Sequence, residues 1–241
     1  MINFNRIIVI GCGGTGSFLI PALSRYLKSQ NFLGELCLID GDFYSESNSE
    51  RQMFKTSGIN TNKAAYQAEQ IIDSLPEYSY ELNYVDSYVG EEELEDLVEE
   101  NTMVINCADN HAVRNFAEQA LLKRNNGVHI CCGNEMVLGQ VQISMRCNGE
   151  QVLPSIFTRF PEMRTDKEDR AKMSCEELQK LPSGGQVISA NMTAATLAMN
   201  AIIACLKQSK AYKHGSQINF GTIQFATTTN DFAKFDIVES L

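Results

Sequence analysis

Short β-branched apolar runs alternate along this chain with longer segments whose apolar residues return every three or four positions. That alternation predicts βαβ units wound around a parallel sheet. The first run, Ile7-Ile8-Val9-Ile10, predicts a buried strand. After a glycine-rich turn, Phe18, Leu19, Ala22, Leu23, Tyr26 and Leu27 fall at helical spacing and predict a helix over 17–29. A second strand is expected over 35–39, ending at Asp40. A helix over 62–75 is stopped by Pro76, and 78–85 alternates as a strand does. An acidic helix over 91–100, a buried strand over 103–107, a helix over 112–124 and a strand over 128–132, closed by Gly133, complete a doubly wound half.

The remainder reads differently. Residues 137–146 alternate in the manner of an added antiparallel strand, whereas 148–184 loses its apolar period and is expected to be a crossover loop or lid. An Ala- and Met-rich helix follows over 187–208, and 218–228 predicts one or two closing strands. The expected class is α/β: a Rossmann-like, doubly wound, mostly parallel sheet with antiparallel C-terminal strands, in a single domain over 1–241.

Composition narrows the function. A formal charge of -10 gives no general attraction to nucleic acid. No signal-peptide pattern precedes the first strand, so the eight cysteines are expected to be reduced, in a cytoplasmic protein. They form no Cys-x-x-Cys pair, and no structural zinc is expected. No apolar run reads as long and uncharged enough for a bilayer, so no membrane partner is expected either.

The chemistry starts at Gly11-Cys12-Gly13-Gly14-Thr15-Gly16, placed between a strand and a helix. Glycines there let the backbone turn tightly and let phosphate approach the helix N-terminus. Asp40, at the end of the next strand, stands where a ribose hydroxyl is held. A nicotinamide dehydrogenase uses the same turn, but the loop after Asp40 carries Arg51 and then Lys63, two cations suited to a triphosphate.

Asp40 and Asp42, then Ser47-Asn48 with Arg51-Gln52, then Lys63-Ala64, then Asp109-Asn110 follow one another in the order of a known pattern. In these elements the chain resembles the ThiF/MoeB/HesA family, relatives of the ubiquitin-activating enzymes. The run Ser174-Cys175-Glu176, followed by Gly184-Gly185, is similar to the family segment after its crossover loop. The resemblance implies ATP-dependent adenylation of the C-terminal carboxylate of a small ubiquitin-like or sulfur-carrier-like protein with a Gly-type terminus, carried out by a homodimer. It implies that Gly11, Gly13, Gly14 and Gly16 cradle phosphate with Gln52 beside them, and that Asp40 holds the ribose. Asn48, Arg51 and Lys63 would meet the phosphates, and Asp109 would hold Mg²⁺. Because some members use a thiol after adenylation, Cys175 is the candidate thioester or persulfide acceptor. Only a handful of residues precede the first strand, where many members carry a helix whose arginine reaches the partner subunit's ATP. The paired Cys-x-x-Cys of the sulfur-carrier activators is also missing, so the chain looks most like divergent, cassette-type bacterial ThiF proteins.

Each of these residues also has a plainer role. Arg51 and Lys63 suit solvated charges, Asn48 an Asx turn or cap, Asp109 a helix cap, and Cys175 an inert exposed thiol. An NAD-dependent oxidoreductase and a non-catalytic ATP-binding scaffold are the two functional alternatives.

Overall fold

Five short runs build the parallel part of the sheet; those at its centre are apolar at nearly every position, because a strand buried on both faces needs apolar side chains throughout, whereas the edge run Glu81–Val85 is mostly exposed. In the computed structural model, which describes residues 2–134, 139–165 and 187–211, these become β1 (Arg6–Ile10), β2 (Glu35–Ile39), β3 (Glu81–Val85), β4 (Thr102–Asn106) and β5 (Gly127–Asn134). They pair in parallel, and β6 (Gly139–Cys147) and β7 (Glu150–Leu153) add antiparallel to β5. The order across the seven-stranded sheet is β3-β2-β1-β4-β5-β6-β7. The chain leaves β1 for one side and β4 for the other, which opens a crevice beyond their carboxyl ends.

Helices α1 (Gly14–Ser29) and α2 (Lys63–Ser74), with the long C-terminal α6 (Ile188–Ala211), cover one face. There Leu19, Leu23 and Leu27 of α1 share one core with Ile7, Val9, Leu36 and Leu38, and Ala198 and Ile202 of α6 extend it where that helix lies against α1, β5 and β6. On the other face Leu94 of α3 (Glu91–Leu97) and Phe116 and Ala117 of α4 (His111–Leu122) pack with Ile8, Ile10 and Val104. A buried hydrogen bond ties α4 to β5: His129 Nδ1 lies 2.7 Å from Glu118 Oε2, and neither side chain reaches solvent. Burial opposes the charge on Glu118, but its hydrogen bond and attraction to His129, helped by Ser155 and Ser144, hold its carboxyl below the usual range.

Three expectations need correction. Helix α1 starts at Gly14, not at 17, because the last glycines of the turn already have helical backbone although they carry no apolar signal; Ser17 N–H donates to the Gly13 carbonyl at 2.8 Å. The stretch expected to be a loop from 148 onward is ordered through 165, as β7, a short helix α5 (Ile156–Arg159) and a 3-10 turn at Pro161–Thr165. Strand β7 lies on the sheet edge with its residues mostly exposed, so no apolar alternation marks it, while Ile156, Phe157 and Met163 close over Cys131. Finally, Ile188–Lys207, with mean hydropathy 1.4 over 20 residues, is long and apolar enough to cross a membrane by composition. Its Ala194, Ala198, Ala201, Ile202 and Cys205 are packed into the protein core instead. Cys175, Gly184-Gly185, the rest of the expected lid and the closing strands over 218–228 lie outside the described residues.

Candidate nucleotide site at the carboxyl ends of β1, β2 and β4

The turn after β1 is shaped by close backbone approach. Gly11 takes φ +89°, a left-handed conformation that favours glycine, and a Cβ there would sit 2.7 Å from the amide nitrogen of Ala108. This contact sets the loop after β4 directly against the loop after β1. Cys12 is fully buried beneath the turn, with its carbonyl accepting from the Tyr44 hydroxyl at 2.9 Å. Tyr44 is itself buried, accepts from Gln67 Nε2 at 2.8 Å and stacks on Phe54, so the loop following β2 is anchored under the turn.

Asp40 joins the two strand ends. Its Oδ2 accepts the Cys12 N–H at 2.7 Å and its Oδ1 accepts the Asp42 N–H at 2.8 Å. A carboxylate oxygen has two lone pairs, so both still have acceptor capacity for a ribose hydroxyl. Burial pushes the Asp40 carboxyl up to about 6, reinforced by Asp42 and opposed by Lys63 and the two backbone donors. Because its folded value lies above the ordinary 3.8, Asp40 contributes stability to the empty protein that is fully present below about pH 4 and is lost as pH rises through about 6. Ligand binding runs the other way, since a ribose hydroxyl donates to the ionised form. The expected result is Mg-ATP affinity about tenfold weaker at pH 5 than at pH 7, one unit below the titration point. Calorimetry on wild type and Asp40→Asn checks it, and an equal slope in both would rule Asp40 out as the titrating group.

Lys63 and Gln52 reach the turn from the far side of the same loop. Asn62 caps α2 by accepting from Ala64 and Ala65 N–H, and its Nδ2 donates to the Asp40 carbonyl at 2.8 Å and the Asp42 carbonyl at 3.2 Å. This fixes Lys63, the first helical residue, against the end of β2. Its ammonium is buried, 3.1 Å from Asp42 Oδ2, and a Cβ on Gly13 would lie 3.4 Å from it. Gln52 is buried too: Oε1 has no hydrogen-bond partner and would be 3.3 Å from that Cβ. Bare glycine backbone therefore faces a buried cation and a buried amide.

The other expected residues fall as follows. Asn48 is buried and serves its own turn: Oδ1 accepts from Ser45 N–H, while its carbonyl accepts from Arg51 and Gln52 N–H. Arg51 is partly exposed, and its carbonyl accepts Asn191 Nδ2 at 3.0 Å. Asp109 is exposed in the loop that Gly11 touches, one residue beyond Ala108. The cap of α4 is its neighbour Asn110, which accepts from Val113 N–H.

Two residues were not anticipated. Asn191, fully buried on α6, stitches that helix to Arg51, and its Oδ1 lies 2.8 Å from where a Cβ on Gly14 would sit. Arg114, buried on α4, donates to the Ala108 carbonyl at 2.8 Å and the Cys132 carbonyl at 2.9 Å, bracing the loop that carries Asp109.

The model of the ThiF family matches residues 1–240. The molybdopterin-synthase adenylyltransferase of Escherichia coli is 31% identical over 111 residues, which cover 46% of this chain and 42% of that protein. An adenylyltransferase and sulfurtransferase of Aspergillus terreus is 32% identical over 115 residues, covering 45% of this chain and 21% of its own length. The chain thus spans less than half the length of these curated relatives. Among solved structures, PaaA shares the fold with a TM-score of 0.65 at 16% identity, over 93% of this chain and 61% of that one. Escherichia coli MccB, determined with ATP, shares it with a TM-score of 0.62 at 16% identity, over 91% and 60%.

Proposed function

The chain belongs to the ThiF family, and from that premise we propose that it binds Mg-ATP in the crevice between β1 and β4 and adenylates the C-terminal carboxylate of a small ubiquitin-like or sulfur-carrier-like protein. The observation that carries this reading is the buried Lys63 ammonium held over the bare backbone of Gly13, at the start of α1. A cation there meets phosphate together with the free amides and dipole of the helix N-terminus. Arg51, on the turn that Asn191 pins, supplies a second cation toward the phosphates, and Gln52 Oε1 and Nε2 line the same wall. Asp40 takes the ribose. Mg²⁺ held at Asp109 neutralises phosphate charge when bound.

The attacking group is already an anionic carboxylate, so no general base is required. The chain's residues have only to hold the α-phosphate against it and to stabilise charge on the departing pyrophosphate. The names of the Escherichia coli and Aspergillus relatives support adenylyl transfer, and family likeness supports a homodimer and a Gly-type partner terminus.

The test is isotope exchange between pyrophosphate and ATP, with and without a small carrier ending in Gly-Gly, alongside calorimetry with Mg-ATP and with NAD. Exchange that depends on the carrier is the expected outcome. ATP binding with no exchange for any carrier would make the protein a nucleotide-binding scaffold, and binding of NAD in place of ATP would make it a dinucleotide enzyme.

A further inference from the structure

Two thiols that the adenylation reading leaves unused face each other across the ends of adjacent strands. Cys107 follows β4 and Cys132 lies in β5, one step beyond the last registered pair, Asn106 with Cys131. Their Sγ atoms are 3.9 Å apart. Neighbouring strands run about 4.8 Å apart, within the Cα separation that a disulfide spans. Cys132 is buried, whereas Cys107 is partly exposed, with its backbone beside Gly11 of the glycine turn. The geometry points to a reversible redox site: Cys107 and Cys132 form a disulfide on exposure to a low-molecular-weight disulfide such as oxidised glutathione.

The chemistry balances in two exchanges. The Cys107 thiolate attacks one sulfur of the external disulfide, forming a mixed disulfide and expelling one thiolate. Cys132, after losing its proton, then attacks Cys107 Sγ and expels the second. The protein loses two electrons and two protons, and the external disulfide leaves as two thiols. The partly exposed cysteine is the one that small molecules can reach, and the buried one resolves the adduct.

The bond would act on the crevice because of what flanks it. Ala108, next to Cys107, abuts Gly11, and Arg114 already bridges the carbonyls of Ala108 and Cys132. A covalent link there fixes the loop carrying Asp109 to β5.

The chemical test does not depend on adenylation. The native full chain is treated with oxidised glutathione, alkylated after unfolding and digested with trypsin. Trypsin separates Cys107, on the peptide over 64–114, from Cys131 and Cys132, on the peptide over 125–146. The expected result is these two peptides joined, at the mass of their sum less two hydrogens, with two fewer alkylated thiols. The link should persist in Cys131→Ser and vanish in Cys132→Ser, and the wild-type map identifies the joined peptides even if a variant folds poorly. A link that vanishes in Cys131→Ser, or glutathione retained on Cys107 with Cys132 still alkylated, would overturn the proposal.

Discussion

Lys63→Met is expected to weaken Mg-ATP binding about 100-fold while the empty protein remains folded. Removing one member of a buried, hydrogen-bonded charge pair typically costs about 2–5 kcal/mol, and about 3 kcal/mol corresponds to two decades of affinity. Lys63 belongs to that class because its side chain is 8% exposed and its ammonium lies against the Gly13 backbone. The fold should tolerate the change: the methionine preserves much of the aliphatic stem, and Asp42, left without its cation, has a side chain 44% exposed and can be solvated by water. Arg51→Ala should do less, since Arg51 is partly exposed and its contact with phosphate competes with solvent. Calorimetric titration of the three proteins decides the matter. A Lys63→Met protein within threefold of wild type would mean that phosphate does not sit over Gly13.

How much of this was readable beforehand follows from how local each signal is. Strand β2 was placed to the residue, because four consecutive apolar positions, Leu36 to Ile39, follow Gly34-Glu35 and stop at Asp40. Asp40, Gln52 and Lys63 were nominated by ordered motif elements, and the structure brings them to one turn through Asn62, whose side chain links the β2 end to α2. Asn191 had no such signal. Its partner lies 140 residues away, and one asparagine in an Ala-rich helix looks like a solvated position until the helix is laid against the glycine turn. Arg114 and the Glu118–His129 pair are similar cases, polar side chains on an amphipathic helix and in a strand whose burial depends on a neighbouring strand or on α5. Edge strand β7 was missed for the opposite reason, since exposed strand residues carry no apolar period.

The glycine turn also makes a sharp prediction about folding. Gly16→Ala is expected to destabilise the protein by about 3–5 kcal/mol, a large part of the roughly 5–15 kcal/mol by which native domains are stable. A Cβ at Gly16 would lie 2.0 Å from the Gly11 carbonyl oxygen and 2.9 Å from its carbon, so the overlap is with backbone and no side chain can rotate away. Neither partner is able to yield cheaply. Gly11 is held by its hydrogen bond to the Ile39 carbonyl and by contact with Ala108, and α1 is held by Leu19, Ile20, Leu23 and Leu27 in the core. Gly14→Ala is the milder comparison, because its Cβ would meet the Asn191 side-chain amide at 2.8 Å rather than backbone, at the cost of disturbing the hydrogen bond of Asn191 to the Arg51 carbonyl, while a helical alanine recovers up to about 1 kcal/mol over glycine. Urea unfolding should therefore show a strongly lowered midpoint with an unchanged slope for Gly16→Ala and a clearly smaller drop for Gly14→Ala. Equal midpoints would mean that α1 shifts away from the turn at little cost, and the tight cradle from which phosphate binding is argued would not exist.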